Sequence, residues 1–274
     1  MRLNGRVAIV TGGGRGIGRG ISMALAREGV DVVVVEAEEL SSPYNQYHST
    51  RIDGYKSAVE VADEIKAMGR EALAVEADIS KGGDVRGMLE KTLDKLGRVD
   101  ILVNNAGVIW RGPLVEFEEE AWDFIFEINV RGVFLCCKAV APLMMRQGGG
   151  RIINISSVAG KRASPRSAAY SASKFAVIGL TQALAFELAP YDVTVNAICP
   201  GIVNTMMWRG IISPQFGEEW GVSPEEAFDR VVNNRVPLGR PQTADDIGDL
   251  VVFLCKSDNI TGQSINVDGG IRVH

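Results

Sequence analysis

Seven short runs of aliphatic and β-branched residues, at 7–10, 31–35, 72–76, 99–103, 151–155, 193–198 and 264–267, alternate along the chain with longer stretches of helical character. Such short apolar runs suit strands buried on both faces, and parallel neighbours require a long crossover between them. The alternation predicts an α/β fold, a doubly wound parallel sheet with helices on both faces and its site at the strands' C-terminal ends. One helix is especially well marked. From Tyr170 to Leu188, the apolar residues Phe175, Ile178, Leu180, Leu184 and Leu188 recur at three- and four-residue spacing until Pro190 stops the pattern. No repeat or Pro/Ser-rich linker interrupts the sequence, so residues 1–274 are expected to form one domain.

The first strand runs directly into Gly12-Gly13-Gly14-Arg15-Gly16-Ile17-Gly18, with a helix expected to begin near Arg19. Glycines let a backbone turn tightly and approach a pyrophosphate, and the helix behind them offers free N–H groups and a positive dipole end. The spacing Gly12-x-x-x-Gly16-x-Gly18 fits neither the G-x-G-x-x-G frame nor a P-loop, because no Lys-Ser or Lys-Thr follows. An ordinary turn also collects glycine, so the cluster alone does not settle nucleotide binding. The second strand ends in Glu36, eighteen residues past Gly18. An acid there would accept from the adenosine ribose hydroxyls and repel a 2′-phosphate. NAD is therefore expected over NADP, with Arg15 as a partly compensating cation; a merely solvated strand end remains the alternative for Glu36.

Tyr170 and Lys174 stand four positions apart on the marked helix, thirteen positions beyond Ser157, which follows the fifth strand. Residues i and i+4 share a helix face. A free phenol has a pKa of about 10, so service as a base near neutrality requires roughly 3 to 4 kcal/mol of stabilisation of the phenolate. A cation about 4 Å away supplies roughly 4 kcal/mol at an effective dielectric of 20 and only about 1 in water. The pair is thus expected in a partly closed site.

Taken in order, Thr11-Gly12 through Gly18, Asn104-Asn105-Ala106-Gly107, Asn129 within Ile128-Asn129-Val130, Ser157 with Tyr170 and Lys174, and Pro200-Gly201 with Thr205 resemble the signatures of the short-chain dehydrogenase/reductase family over almost the whole chain. The resemblance implies a Rossmann-type sheet and hydride transfer between a nicotinamide and a carbinol carbon. It implies Tyr170 as general acid/base, Ser157 holding the substrate oxygen, Lys174 bonding the nicotinamide ribose, and Asn129 positioning a water that links Lys174 to solvent. Asn105, Ala106 and Gly107 would face the cofactor, Asp78 with Ile79 would meet the adenine ring, and Pro200, Gly201, Val203 and Thr205 would flank the nicotinamide amide. Each residue also has a structural reading: Asn104 and Asn105 would close a strand end, and Asn129 would mark a kink within a helix. The activity expected is that of an NAD-dependent oxidoreductase on a small-molecule secondary alcohol or ketone. An enoyl-type reductase, which usually spaces its tyrosine and lysine further apart, and a catalytically silent NAD-binding regulatory protein are the alternatives. The family also implies a homotetramer, built on helices around 114–145 and 168–188 and on the C-terminal segment, with Phe134, Phe175 and Phe186 facing either a partner or the core.

Composition narrows the setting. At 46% hydrophobic and 23% charged residues, 274 residues suit one sizeable core. A net charge of −5 without a long basic patch argues against nucleic acid. The two histidines, His48 and His274, and cysteines 136, 137, 199 and 255 lack ligand spacing, so no metal is expected, and unpatterned cysteines suit a reducing cytoplasm. No run approaches 18 apolar residues, so neither export nor membrane spanning is expected.

Two stretches remain open. From Glu36 to Asp78 is 42 positions, and residues about 37–56, including Ser41-Ser42-Pro43-Tyr44-Asn45-Gln46-Tyr47, read as an inserted polar loop. It is either a cover over the adenosine end of the cofactor or a plain surface loop. Residues about 204–235 read as a substrate loop whose Met206, Met207, Trp208, Ile211, Ile212, Phe216 and Trp220 form either an apolar lid or a helix pair packed on the core. Arg111, Arg162 and Arg166 leave an anionic or polyhydroxylated substrate as open as a lipophilic alcohol.

Overall fold

A computed structural model describes residues 1–37, 42–44 and 54–273. Its centre is a seven-stranded, all-parallel sheet in the order β3-β2-β1-β4-β5-β6-β7. The strands are β1 (Val7–Thr11), β2 (Asp31–Glu36), β3 (Ala72–Glu76), β4 (Ile101–Asn104), β5 (Gly150–Ile155), β6 (Val193–Pro200) and β7 (Ser264–Val267). Six of the seven expected runs begin within a residue of where they were read. The fourth starts two residues late, where Asp100 turns its carboxylate onto Arg6, Arg98 and the Val7 N–H.

Strand side chains alternate between faces, and here each face is covered. On one side, Ala8, Val10, Val32, Val34, Ile101 and Val103 pack against α1 (Gly16–Arg27), α2 (Gly54–Ala67) and α9 (Ala244–Lys256). On the other, Val7, Ile9, Val33, Val35, Leu102 and Ile152 pack against α3 (Gly82–Leu96), α5 (Val133–Gln147) and α6 (Ala168–Leu188). Each fully buried aliphatic side chain contributes roughly 1.5–3 kcal/mol, so two filled faces outweigh the low helix propensity of the glycines inside α1. Those glycines serve close packing: a Cβ at Gly20 would stand 2.6 Å from the Ala244 Cβ on α9.

Helix α6 with its following turn, Ala168–Tyr191, is the one described helix long and apolar enough to cross a membrane by length and composition alone. It is a covering helix of the sheet, burying Val177, Thr181, Ala185 and Leu188. Phe175 and Phe186 on α6 and Phe134 on α5 are exposed. Helix α4 (Glu119–Phe126) runs into α5 through a π-helical turn at Glu127–Gly132, and α7 (Ser213–Trp220) and α8 (Pro224–Arg235) form a small layer of their own.

The expected inserted loop is shorter than 37–56, since α2 already begins at Gly54. Residues 38–41 and 45–53, which carry most of it, lie outside the described residues, as does His48 and the terminal His274. Of its described part, Tyr44 sets its ring edge-on to Trp110 at 5.4 Å and donates its hydroxyl to Glu118. The four cysteines are buried free thiols.

Candidate active site

The strand order reverses direction at β1 and β4, and the crevice that this leaves beyond the C-terminal ends of the strands is where an open α/β sheet binds its ligands. A cleft of ≈ 1240 Å³ lies there. That exceeds the roughly 300–1,000 Å³ of a site for one drug-sized ligand, leaving room for a dinucleotide and a substrate together. Its walls include Gly12, Arg15, Gly16, Ile17, Glu36, Asp78, Ile79, Asn105, Ala106, Gly107, Ser157, Tyr170, Lys174, Pro200, Gly201, Val203 and Thr205. Gly18 and Asn129 are not among them.

Gly18 instead closes the turn behind the wall. A Cβ there would fall 1.8 Å from the Gly12 carbonyl oxygen, a contact no side chain tolerates, and Gly12 itself sits at φ 63°. Asn105 braces the same turn by donating its Nδ2 to the Thr11 and Gly12 carbonyls at 3.0 and 2.9 Å, while Thr11 Oγ1 accepts from the backbone of Asn105. Helix α1 starts three residues before Arg19, at Gly16, and Arg15 at its N-cap position makes no side-chain cap. The first-turn N–H groups of such a helix have no internal partner, and Gly16 and Ile17 belong to the cleft wall. The turn therefore fits a pyrophosphate: donors, a dipole end and no side chain in the way.

Glu36 is 7% exposed at the end of β2, so it is not a solvated strand end. Its Oε1 accepts from the Gly14 N–H at 3.1 Å and its Oε2 from Arg15 at 3.3 Å. Burial nevertheless holds its carboxyl above the ordinary glutamate value, outweighing the Arg15 charge and the Gly14 hydrogen bond. Asp78 lines the cleft with one oxygen bound by the Ser80 N–H and hydroxyl and the other 3.2 Å from Lys81.

Lys174 is buried in α6, with its Nζ 5.7 Å from the centroid of the Tyr170 ring, so the ammonium faces the phenol ring on the shared helix face. Nζ also donates to the Ile155 carbonyl at 3.0 Å, at the end of β5. Burial pushes the lysine down to about 8, which leaves it charged at neutral pH and readily discharged just above. Ser157 follows β5 and accepts from the Ala159 N–H at 3.1 Å, which fixes its oxygen and leaves its proton to donate. All three side chains enter the cleft.

Asn129 occupies the π-helical turn between α4 and α5, a local widening that often marks a functional position. Its side-chain amide is engaged at both ends: Oδ1 accepts from the Val108 N–H, and Nδ2 donates to the Val108 carbonyl and Ser173 Oγ. The side chain thus braces the segment after β4 against α6. A Cβ placed on Gly107 would stand 3.2 Å from Asn129 Oδ1 and 3.4 Å from Lys174 Nζ, so the two residues nearly meet across that glycine. Asn104 takes the structural course, donating to Asn154, which donates in turn to Thr181.

The stretch 204–235 combines both readings offered by its sequence. It is a helix pair, α7 and α8, with Phe216, Phe228, Val231 and Val232 buried together, while Met206, Met207, Trp208, Ile212 and Phe216 also wall the cleft. Tyr170 packs against this layer. Cleft residues without a sequence signal include Val108, Ile109, Ile202, Ile271 and Arg272. Only the folding of the C-terminal segment over the site brings Arg272 there.

Comparison with known proteins agrees with this geometry. The family model described as short chain dehydrogenase matches residues 6–215. A 3-oxoacyl-[acyl-carrier-protein] reductase of Synechocystis sp. is 40% identical over 272 residues, covering 98% of this chain and 98% of that protein. A short-chain dehydrogenase/reductase of Armillaria gallica is 37% identical, covering 97% and 96%. Among solved structures, an actinorhodin polyketide ketoreductase variant with NADPH superposes with a TM-score of 0.89 at 34% identity, over 100% of this chain and 99% of the other.

Proposed function

Because the chain belongs to the short chain dehydrogenase family, we propose that it is an NAD(H)-dependent oxidoreductase that interconverts a small secondary alcohol and its ketone. One observation carries the reading: Tyr170, Lys174 and Ser157 enter a single cleft beside a glycine turn shaped for a pyrophosphate. A nicotinamide bound there supplies or accepts the hydride. Gly12, Gly16 and Ile17 hold the pyrophosphate, and Glu36 the adenosine ribose. Tyr170 exchanges a proton with the substrate oxygen. The Lys174 ammonium stabilises the phenolate, and Ser157 donates to the same substrate oxygen and keeps it within reach. Asn129 acts through Val108 and Ser173, as a positioning residue. The apolar wall of Ile212, Phe216 and Trp208 excludes water, which strengthens each of these electrostatic contacts.

The choice of NAD rests on Glu36. Its carboxyl at the end of β2 suits ribose hydroxyls and crowds a 2′-phosphate, whereas Arg15 beside it favours one. The ketoreductase of similar structure was solved with NADPH, which makes NADP the alternative. Initial rates with NADH and NADPH on a panel of ketones decide between them. NADH is expected to lead by about tenfold in kcat/KM, corresponding to about 1.4 kcal/mol of retained repulsion, and Glu36→Ala to narrow the gap. Equal or faster turnover with NADPH removes the assignment. A panel on which no ketone or alcohol reacts with either cofactor removes the oxidoreductase reading itself.

The same reading includes a homotetramer in a reducing cytoplasm, supported by the exposed Phe134, Phe175 and Phe186 on α5 and α6 and by four buried free thiols. Sizing chromatography with light scattering is expected to give four times the 29.5 kDa chain mass. A monomer overturns it.

A further inference from the structure

Four arginines from four separate segments line the substrate side of the cleft: Arg111 after β4, Arg162 after β5, Arg235 at the end of α8 and Arg272 near the C-terminus. The Arg111 guanidinium lies 4.4 Å and that of Arg235 5.7 Å from the centroid of one ring, Phe216, so two cations are gathered at one apolar side chain of the wall. Arg166 adds a fifth charge that acts on Arg111, and Arg162 and Arg235 both act on Arg272. The backbone holds this gathering in place: the Gly112 N–H donates to the Arg166 carbonyl at 3.0 Å, and Arg166 takes a left-handed conformation at φ 61°, uncommon for a residue with a side chain.

Neutralisation is incomplete. Among the described residues, no carboxylate oxygen lies within 4.0 Å of a guanidinium nitrogen of Arg111, Arg162, Arg235 or Arg272. The acids that face them are Glu219, which acts on Arg111 from α7, and Asp268, whose carboxylate is taken up by the backbone N–H groups of Gly270 and Arg272. Burial, reinforced by Arg166 and Arg235, pushes Arg111 below its ordinary value. The Arg272 Nε is buried with no hydrogen-bond partner. In a chain of net charge −5, so many like charges at one wall repel one another and cost stability unless something anionic comes between them.

Building on the dehydrogenase reading above, we propose that this wall is an oxyanion subsite and that the substrate is an amphiphile: a ketone or alcohol whose apolar body lies along Ile109, Ile202, Met207 and Phe216 and whose terminal carboxylate or phosphate is received by Arg111, Arg235 and Arg272. A guanidinium binds either group through a planar fork of donors, and the Phe216 ring has two such forks beside it. The proposal thus turns the choice between a lipophilic and a charged substrate into a single molecule with both ends.

The test is a matched series in which only the charge changes. Straight-chain oxo acids of increasing length are compared with their methyl esters, and hydroxyketone phosphates with the parent hydroxyketones, by NADH oxidation and by quenching of tryptophan fluorescence, since Trp208 lies in the wall. At least one anionic member is expected to exceed its neutral twin by tenfold or more in kcat/KM, with the advantage falling as salt is raised. The arm that wins identifies the anion as carboxylate or phosphate. In Arg111→Gln/Arg235→Gln the ratio of anionic to neutral turnover is expected to fall from tenfold or more to about one, whatever the common change in rate. Neutral twins that react as well as or better than every anionic member overturn the subsite and leave the dehydrogenase reading intact. If no ketone is reduced at all, that reading fails, and the fluorescence titration judges the subsite separately. Saturable quenching by the oxo acids or phosphates, absent with their neutral twins and lost in the double variant, upholds the subsite; equal or no quenching by both overturns it.

Discussion

Tyr170→Phe is expected to lower kcat by about 10²- to 10⁴-fold, the range that a positioned acid or base contributes, while leaving NADH affinity within about twofold. The substitution removes one oxygen from a ring packed against the layer of Phe216, Phe228 and Trp208, so it opens no cavity of consequence and leaves the glycine turn, braced by Asn105, as it is. Stopped-flow or steady-state reduction, with NADH binding followed by fluorescence, separates the two effects. A variant that keeps most of its kcat shows that another group, or solvent, handles the proton. A variant that loses NADH affinity in proportion to its rate shows that Tyr170 binds the cofactor and does no proton transfer.

Lys174→Met should lose activity to a similar extent and yet be more stable, a combination that neither a structural nor a bystander lysine would give. The unfolded lysine titrates near 10.5 and the buried one near 8, so between those values the unfolded chain binds more protons than the folded one. Wild-type stability therefore rises with pH across that window, is complete above it, and falls away as pH drops through about 8. At neutral pH the buried charge costs about 3 kcal/mol, of which methionine recovers all except roughly 1 for the hydrogen bond to the Ile155 carbonyl. A net gain of about 2 kcal/mol corresponds to a Tm higher by about 4 °C or more in a domain of this size. Thermal denaturation at pH 7 and at pH 10 tests the sign: the variant leads at the lower pH, and its lead shrinks at the higher. A lower Tm at pH 7 would mean that Lys174 is held by stabilising partners and is not a strained cation kept for chemistry. Under the proposed mechanism activity is expected to fall above about 8 as well, because the Lys174 ammonium is then discharged.

The contrast between these two residues shows where sequence reasoning reached and where it stopped. Their four-residue spacing places them on one helix face whatever surrounds them, since helical geometry is local. The spacing does not say how deep the face lies. Burial lowers Lys174 to about 8 and turns its ammonium toward both the Tyr170 ring and the Ile155 carbonyl, and burial is a property of the sheet end and the α7–α8 layer together. Glu36 is similar. Its position at the end of the second strand is legible, but its contacts with the Gly14 N–H and Arg15 depend on how the glycine turn folds back over β2.

Asn129 and Gly18 mark another limit. The sequence motif contains both, yet neither lines the cleft: Gly18 is required by the Gly12 carbonyl behind it, and Asn129 by Val108 and Ser173. A motif records which residues a site needs without distinguishing contact from support.

By itself, the sequence determined the seven strands, their parallel winding and the helix that presents Tyr170 and Lys174, because periodicity and turn chemistry act over short distances along the chain. Only the tertiary structure decided that 204–235 is both helix pair and cleft wall, that the Asn129 amide joins Val108 to Ser173, and that arginines 111, 162, 235 and 272 converge. Those outcomes join residues from 21 positions apart, as Val108 and Asn129 are, to more than a hundred, as Arg111 and Arg272 are, and the packing of one layer on another, which no local pattern encodes, brings them together.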